Sequence, residues 1–218
     1  GPMHPLGKFW YETFSAADYA KFHKQYNVNK RQTRAWAIPD FTKPGIDQLA
    51  TKHHIFLPRL VWAGQRDQAG QLEFLLMLEM PSESWQSFGA PRSLSLEVKV
   101  DPREARACFR LQWFNKTASR LPEAAWFSFI PCLRQAGIWQ MDKLGQWISP
   151  HEVIHDGSRH LHAVGSEGLR FEDRDTRLSI RTLDAALVAP GQPSLLNFSN
   201  RQPNMKDGIH FNLHNNLW

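Results

Sequence analysis

Three short stretches of this chain carry side chains whose types and spacing could do chemistry. The sharpest is His151-Glu152-Val153-Ile154-His155, an HExxH string. On a helix, both imidazoles would share one face and hold zinc, with Glu152 placed to activate a metal-bound water. The flanks oppose that geometry. Pro150 precedes the first histidine and Asp156-Gly157 follows the second, leaving a helix of about 6 residues, which is marginal in water. The β-branched Val153 and Ile154 do not help it. An extended metzincin pattern would want glycine and histidine where Ser158 and Leu161 stand. With ten histidines in the chain, chance can produce the string. A stand-alone zinc hydrolase using His151, Glu152 and His155 is therefore the alternative reading, not the first.

The second stretch is Arg159-His160-Leu161-His162-Ala163-Val164. On a strand it would turn His160 and His162 to one face, opposite Arg159, Leu161 and Ala163. The third is His210-Phe211-Asn212-Leu213-His214-Asn215-Asn216-Leu217-Trp218. Period-two alternation there puts Ile209, Phe211 and Leu213 on an apolar face and His210, Asn212 and His214 on a polar one. Imidazole and amide groups both donate and accept, which suits vicinal sugar hydroxyls. Half-buried, hydrogen-bonded histidines and a solvated Asn-Asn turn would look the same in sequence. Arg159, His160, His162, Asn212, His214, Asn215, Asn216 and Trp218 are the expected carbohydrate contacts, meeting at one surface.

Other chemistries lack support. GxxxxGK[ST], GxGxxG and GxSxG are all absent. Glu152, Asp156, Glu172, Asp184 and Asp207 could supply paired carboxylates, but no spacing singles any of them out. The formal charge of +5 comes from interspersed residues, without the clustered basic patch that nucleic-acid binding wants. No apolar run approaches the ~20 residues of a membrane span. Nucleic acid and membrane are thus not expected partners. Cys108 and Cys132 sit in apolar, strand-like runs and read as buried free thiols, which points to a reducing, cytoplasmic compartment. Nine Trp and fourteen Phe are many for 218 residues; aromatic faces stack on sugar rings, and they also fill cores.

The elements that must position these groups are mostly strands. Phe9–Phe14 reads as the first. Ser15, with Asp18 at the capping-box position, opens a helix over about 16–27 that puts Tyr19, Phe22, His23 and Tyr26 on one side. Beyond Pro44-Gly45 the period becomes two. Strands are expected at Ile55–Trp62, Leu72–Met80, Ser93–Val100, Ala105–Phe114, Ala124–Ile130, Ile138–Met141, His160–Val164, Arg177–Thr182, Leu195–Phe198 and Ile209–Leu213. Turn pairs such as Ala69-Gly70, Asp156-Gly157 and Asp207-Gly208 separate them. Many short strands and one helix predict an all-β, large antiparallel sandwich. A chain this long buries roughly 70% of its unfolded surface, enough for one core. Residues 1–3 read as an expression scar and 4–218 as a single domain.

Several segments together resemble a known group. Leu121–Phe129, Met141–Pro150 with Lys143-Leu144-Gly145, Ser158–Val164, Leu183–Gly191 and Gly208–Trp218 occur in that order, behind an opening Leu6–Tyr19. They look like the C-terminal portion of an uncharacterised group of proteins related to family 38 glycoside hydrolases, the α-mannosidase-like enzymes. The resemblance implies a β-supersandwich similar to galactose-mutarotase-like domains. It also implies that zinc and the catalytic carboxylates belong to an N-terminal α/β-barrel outside this sequence. This domain would then need no cofactor of its own, and the resemblance assigns no catalytic residue to it. The group's pattern does not include HExxH and continues past Asn-Asn-Leu-Trp, so the chain is expected to be a C-terminal fragment truncated at both ends. The expected function is a β-sandwich that packs on, or completes the carbohydrate site of, a glycoside hydrolase's catalytic domain. Its expected partners are carbohydrate and that N-terminal domain. A non-catalytic carbohydrate-binding or interaction module is the remaining alternative.

Overall fold

The computed structural model describes residues 4–27, 39–133 and 136–218; residues 1–3, expected to be an expression scar, lie outside the described residues. In chain order the first elements are β1 (Leu6–Thr13), α1 (Ala16–Tyr26), β2 (His54–Phe56), β3 (Arg59–Gln68) and β4 (Gln71–Glu79). Then follow α2 (Ser82–Ser87), β5 (Ser93–Asp101), β6 (Arg106–Phe114), β7 (Glu123–Phe129), β8 (Ile138–Lys143) and β9 (Gln146–Ile148). The last are β10 (His162–Ala163), β11 (Leu169–Glu172), β12 (Arg177–Ile180), β13 (Leu187–Pro190) and β14 (Ile209–Asn216). Period-two patterning thus folds as expected, into an all-β protein whose paired strands all run antiparallel.

A six-stranded sheet, ordered β10-β13-β14-β7-β1-β2, forms the middle layer. Its strands alternate, so the sheet has two distinct faces. One carries Phe9, Tyr11, Ala125, Phe127, Val188, Ile209 and Phe211. Against its β1–β7 half packs the four-stranded sheet β3-β4-β5-β6, through Leu94, Leu78, Leu111 and Trp113. Against its β13–β14 half packs the other four-stranded sheet, β12-β11-β8-β9, through Trp139, Met141, Leu169 and Phe171. The opposite face carries Trp10, Glu12, Ala124, Trp126, Ala189, His210 and Asn212. No sheet covers it; α1 and the segments around Ile46 and Leu195–Leu196 do. Because layers press on both sides, β7 is buried from Glu123 to Ser128. Two bulges bend this sheet. At the first, Gly7 has φ 77°, and a Cβ there would lie 3.0 Å from the Phe109 ring. The second falls between Asn212 and His214.

Helix α1 starts as its sequence predicts. Asp18 Oδ2 accepts from the Ser15 amide at 2.7 Å and from its hydroxyl at 2.8 Å. Tyr19 is buried and donates to the Leu217 carbonyl at 2.6 Å, tying the helix to the chain's last residues. Phe22 and Tyr26 stack on each other and reach Phe41 and Trp218. The helical face read from spacing is therefore a packing face.

Several local expectations fail, each for a physical reason. Leu195–Phe198 forms no strand: the Phe198 amide donates to the Gln25 side chain at 2.9 Å instead of to a ladder partner. The expected strand at 160–164 shrinks to His162–Ala163, because the side chains of Arg159 and His160 anchor to neighbouring loops. Helix α2 is a second helix beyond the one expected, and its six residues after a proline carry no readable period. Strands β9, β11 and β13, of three or four residues each, also lie outside the expected set. Both cysteines are exposed, not buried. Cys108 lies on the uncovered face of the edge strand β6, and Cys132 follows β7 where the chain has left the sheet. The argument from buried thiols to a compartment loses its premise. Among the described residues, no helix is long and apolar enough to cross a membrane.

Candidate functional site

The HExxH string does not build a metal site. Pro150–Glu152 makes one 3-10 turn, and Val153 at φ −68°, ψ 130° is already extended. Glu152 is occupied as a cap: its Oε2 accepts from the Ser149 amide at 3.1 Å. His155 is exposed and pairs with Asp156 at 3.1 Å. The two imidazoles therefore share no helical face. Among the described residues, no three His, Cys, Asp or Glu side chains converge as metal ligands.

The expected carbohydrate residues go to different neighbours. Strands β10 and β14 belong to one sheet with β13 between them. Arg159 donates to the carbonyls of Val153 at 2.9 Å and Asn200 at 3.0 Å, and His160 bonds the Ser199 hydroxyl at 2.8 Å. His162 is buried with an unpartnered Nε2, and burial first, then the nearby Lys143 charge, lower its pKa to about 4. The Asn212 side chain donates to Ala125 O, Asn215 donates to Asn212, and Asn216 donates to Ser119 O. Trp218 packs edge-on against Tyr19. The bulge after Asn212 corrects one expectation outright. It reverses the alternation, so His214 leaves the face of His210 and Asn212 and points to Glu123 at 3.3 Å.

A cleft of about 580 Å³ opens on the α1-covered face, within the range of small-molecule sites. Alternation along β1 sends Trp10 and Glu12 into it, and Phe14 follows just beyond the strand. Helix α1 adds Asp18 and Lys21, the stretch before β2 adds His53, and the 191–197 segment forms the opposite wall. Lys206, Asp207 and His210 line the cleft as well.

Glu12 is the most perturbed acid here. Burial drives its pKa up to about 7, against smaller lowering effects from the Trp126 hydrogen bond and His53. Trp126 Nε1 donates to its Oε2 at 2.8 Å. Its Oε1 faces His53 Nε2 at 3.7 Å, and His53 Nδ1 in turn meets Asp18 Oδ1 at 3.2 Å. Phe14 packs edge-on to the His53 ring. Trp10 holds a buried indole N–H without a partner, beside His210 at 6.1 Å and under Lys8 at 4.4 Å. His210 bonds the Ser128 hydroxyl at 2.8 Å, and burial lowers its pKa to about 4. The wall thus combines a buried acid poised near neutrality with an imidazole that sits against a carboxylate. Such perturbed groups in a cleft mark candidate functional sites.

Sequence reasoning missed Trp10, Glu12, Asp18 and His53 as site residues. A signal was present: β1 alternates Trp10, Glu12 and Phe14 on one face, which places an acid between aromatics. His53 had none. Also missed was a buried network at the far end of β7. Glu123 accepts from Tyr11, from Lys116 at 2.7 Å and from His214. Lys43 donates to Asn216 Oδ1 at 3.0 Å nearby. Burial and the Glu123 charge raise the Tyr11 pKa far above its usual range.

The two buried imidazoles make a stability prediction. With folded pKa values near 4 against 6.5 for the free side chain, His162 and His210 bind fewer protons folded than unfolded. Their contribution is complete above pH 6.5 and is lost as pH falls towards 4. Glu12 acts oppositely between 4.5 and 7, one carboxyl against two imidazoles. Thermal midpoints should fall from pH 6.5 to pH 4, and His210→Gln should flatten the slope; a flat wild-type profile would contradict this assignment.

Fold and cleft together define an antiparallel β-sandwich protein with a cleft on its helix-covered face. Residues 1–108 are similar to a protein family described as a domain of unknown function (DUF5054). That stretch holds β1, α1 and His53, hence much of the cleft. Comparison with curated proteins and with solved structures gives no match.

Proposed function

We propose that this chain is the carbohydrate-handling β-sandwich of a glycoside-hydrolase-like protein, acting beside a catalytic domain, with the Trp10–Glu12 cleft as its sugar site. The cleft itself carries the reading. It joins an indole and a phenyl ring to carboxyl, imidazole and amide groups in an open groove, the mixture that suits a ring with apolar C–H faces and hydroxyl edges. The likeness to the family 38-related group points the same way. That another domain packs on this chain, away from the cleft, is supported by the edge strand β3, which exposes Leu60, Val61 and Trp62 at 53%, 44% and 53%.

The test is a glycan array with the wild-type chain and Trp10→Ala. Wild type should bind a restricted set of glycans, and the variant should lose at least about tenfold in affinity, the effect of one buried aromatic contact at a binding site. Binding to no glycan, or unchanged binding by a folded Trp10→Ala chain, refutes the proposal.

A further inference from the structure

Beyond the cleft, we infer that the outward face of the β3–β6 sheet is a second saccharide site, a flat platform for a chain of sugars centred on Trp62. The inward face of that sheet packs through Leu78, Leu94, Leu111 and Trp113. Alternate residues face outward, where Trp62, Met77, Ser95 and Gln112 stand in register across the four strands. Trp62 is 53% exposed, and its six-membered ring lies over Gly64, two residues along the same face. A Cβ on Gly64 would come within 2.4 Å of Trp62 Cη2, so the glycine is what lets the indole lie down on its own strand. A ring laid over the strand in this way presents its other face to solvent.

The surroundings of the indole decide what fits it. Beside it a run of ion pairs crosses the sheet: Arg66 meets Glu73, Lys99 meets Glu73 and Glu97 at 3.2 Å each, and Arg110 reaches Glu97 at 3.9 Å. An apolar protein surface seated on Trp62 would strip water from these charges, which is costly. A nucleic acid wants cations free for phosphate, and each cation of this run already faces a carboxylate. A pyranose brings both parts, C–H groups on a face for the indole and hydroxyls at its edge for the charged groups. Ser95 and Gln112 lie two and three strand spacings from Trp62, about 10 and 14 Å. One sugar on the indole does not span that distance, whereas a chain laid across the strands does. The cleft lies on the opposite side of the central sheet, so the two sites are separate. Leu60 stands opposite Leu78 and turns inward, so a domain that meets it leaves the indole open.

The experiment titrates the chain with cellohexaose, mannohexaose and xylohexaose, and with glucose, mannose and xylose, while NMR follows the indole N–H resonances. Trp62→Ala identifies the Trp62 signal, and its exposure leaves the fold intact. At least one hexasaccharide should shift that signal and bind more tightly than its monosaccharide. Trp62→Ala should weaken the binding about tenfold or more, the loss of one aromatic anchor. Gly64→Val keeps the indole but lifts it off the strand, and should weaken binding as well. Unchanged binding by either variant, or a monosaccharide bound as tightly as its hexasaccharide, overturns the platform. Shifts confined to the Trp10 signal also overturn it and leave the cleft as the sugar site. No shift with any probe overturns it outright.

Discussion

Glu123→Ala should destabilise the fold by about 3–5 kcal/mol, the cost of stranding one member of a buried ion pair. Glu123 is 1% exposed and takes hydrogen bonds from Tyr11, Lys116 and His214. Without it, the Lys116 ammonium, with only 14% of its side chain exposed, keeps a single acceptor, the Gly89 carbonyl at 3.0 Å. Tyr11 can turn its single hydroxyl proton to the Phe88 carbonyl, 2.6 Å away. Removing both charges is a different matter, because desolvation of an ion pair opposes its attraction. Glu123→Ala combined with Lys116→Met should thus recover much of the loss. In a chain of this length each kcal/mol moves the midpoint about 2–4 °C, so thermal melts resolve the set. A double variant as unstable as Glu123→Ala would show that Lys116 is not what the carboxylate protects.

Trp126→Ala should cost a further 3–5 kcal/mol or so, and it should reach the cleft as well. The indole is fully buried in the middle of β7, within the cluster that joins α1 to the central sheet. Its N–H is also the hydrogen bond that holds the Glu12 pKa down against burial. Trp126→Phe separates the two roles. It preserves most of the packing, so its stability loss should be much the smaller, while Glu12 should titrate higher than about 7. Denaturant melts measure the first effect and carboxyl NMR titration of Glu12 the second. A Glu12 titration unaltered in Trp126→Phe would sever the link between core and cleft.

How far the site could be read beforehand depended on which interactions are local. His210 and Asn212 were singled out by alternation and do lie on one face of β14. His214 was assigned with them, and a bulge between Asn212 and His214 turned it to the other side. An extra strand residue leaves no mark in hydrophobic period, because it is defined by the opposite strand. The flanks of the HExxH string oppose a helix, and the turn found there uses Glu152 to cap Ser149. Residue types alone could not say whether that glutamate would serve a metal or a helix end.

Local chemistry in the chain determined the all-β class, most strand positions, the Ser15–Asp18 start of α1 and the apolar face of that helix. Each depends on residues within a few positions of one another, so periodicity and capping suffice. Only tertiary structure decided that two sheets share one face of the central layer and that the opposite face keeps a cleft. It alone brought Glu12 beneath Trp126, 114 residues away, and to the His53 ring. Desolvation raised that carboxyl's pKa, and desolvation is a property of the assembled surroundings, not of the side chain or its neighbours in sequence.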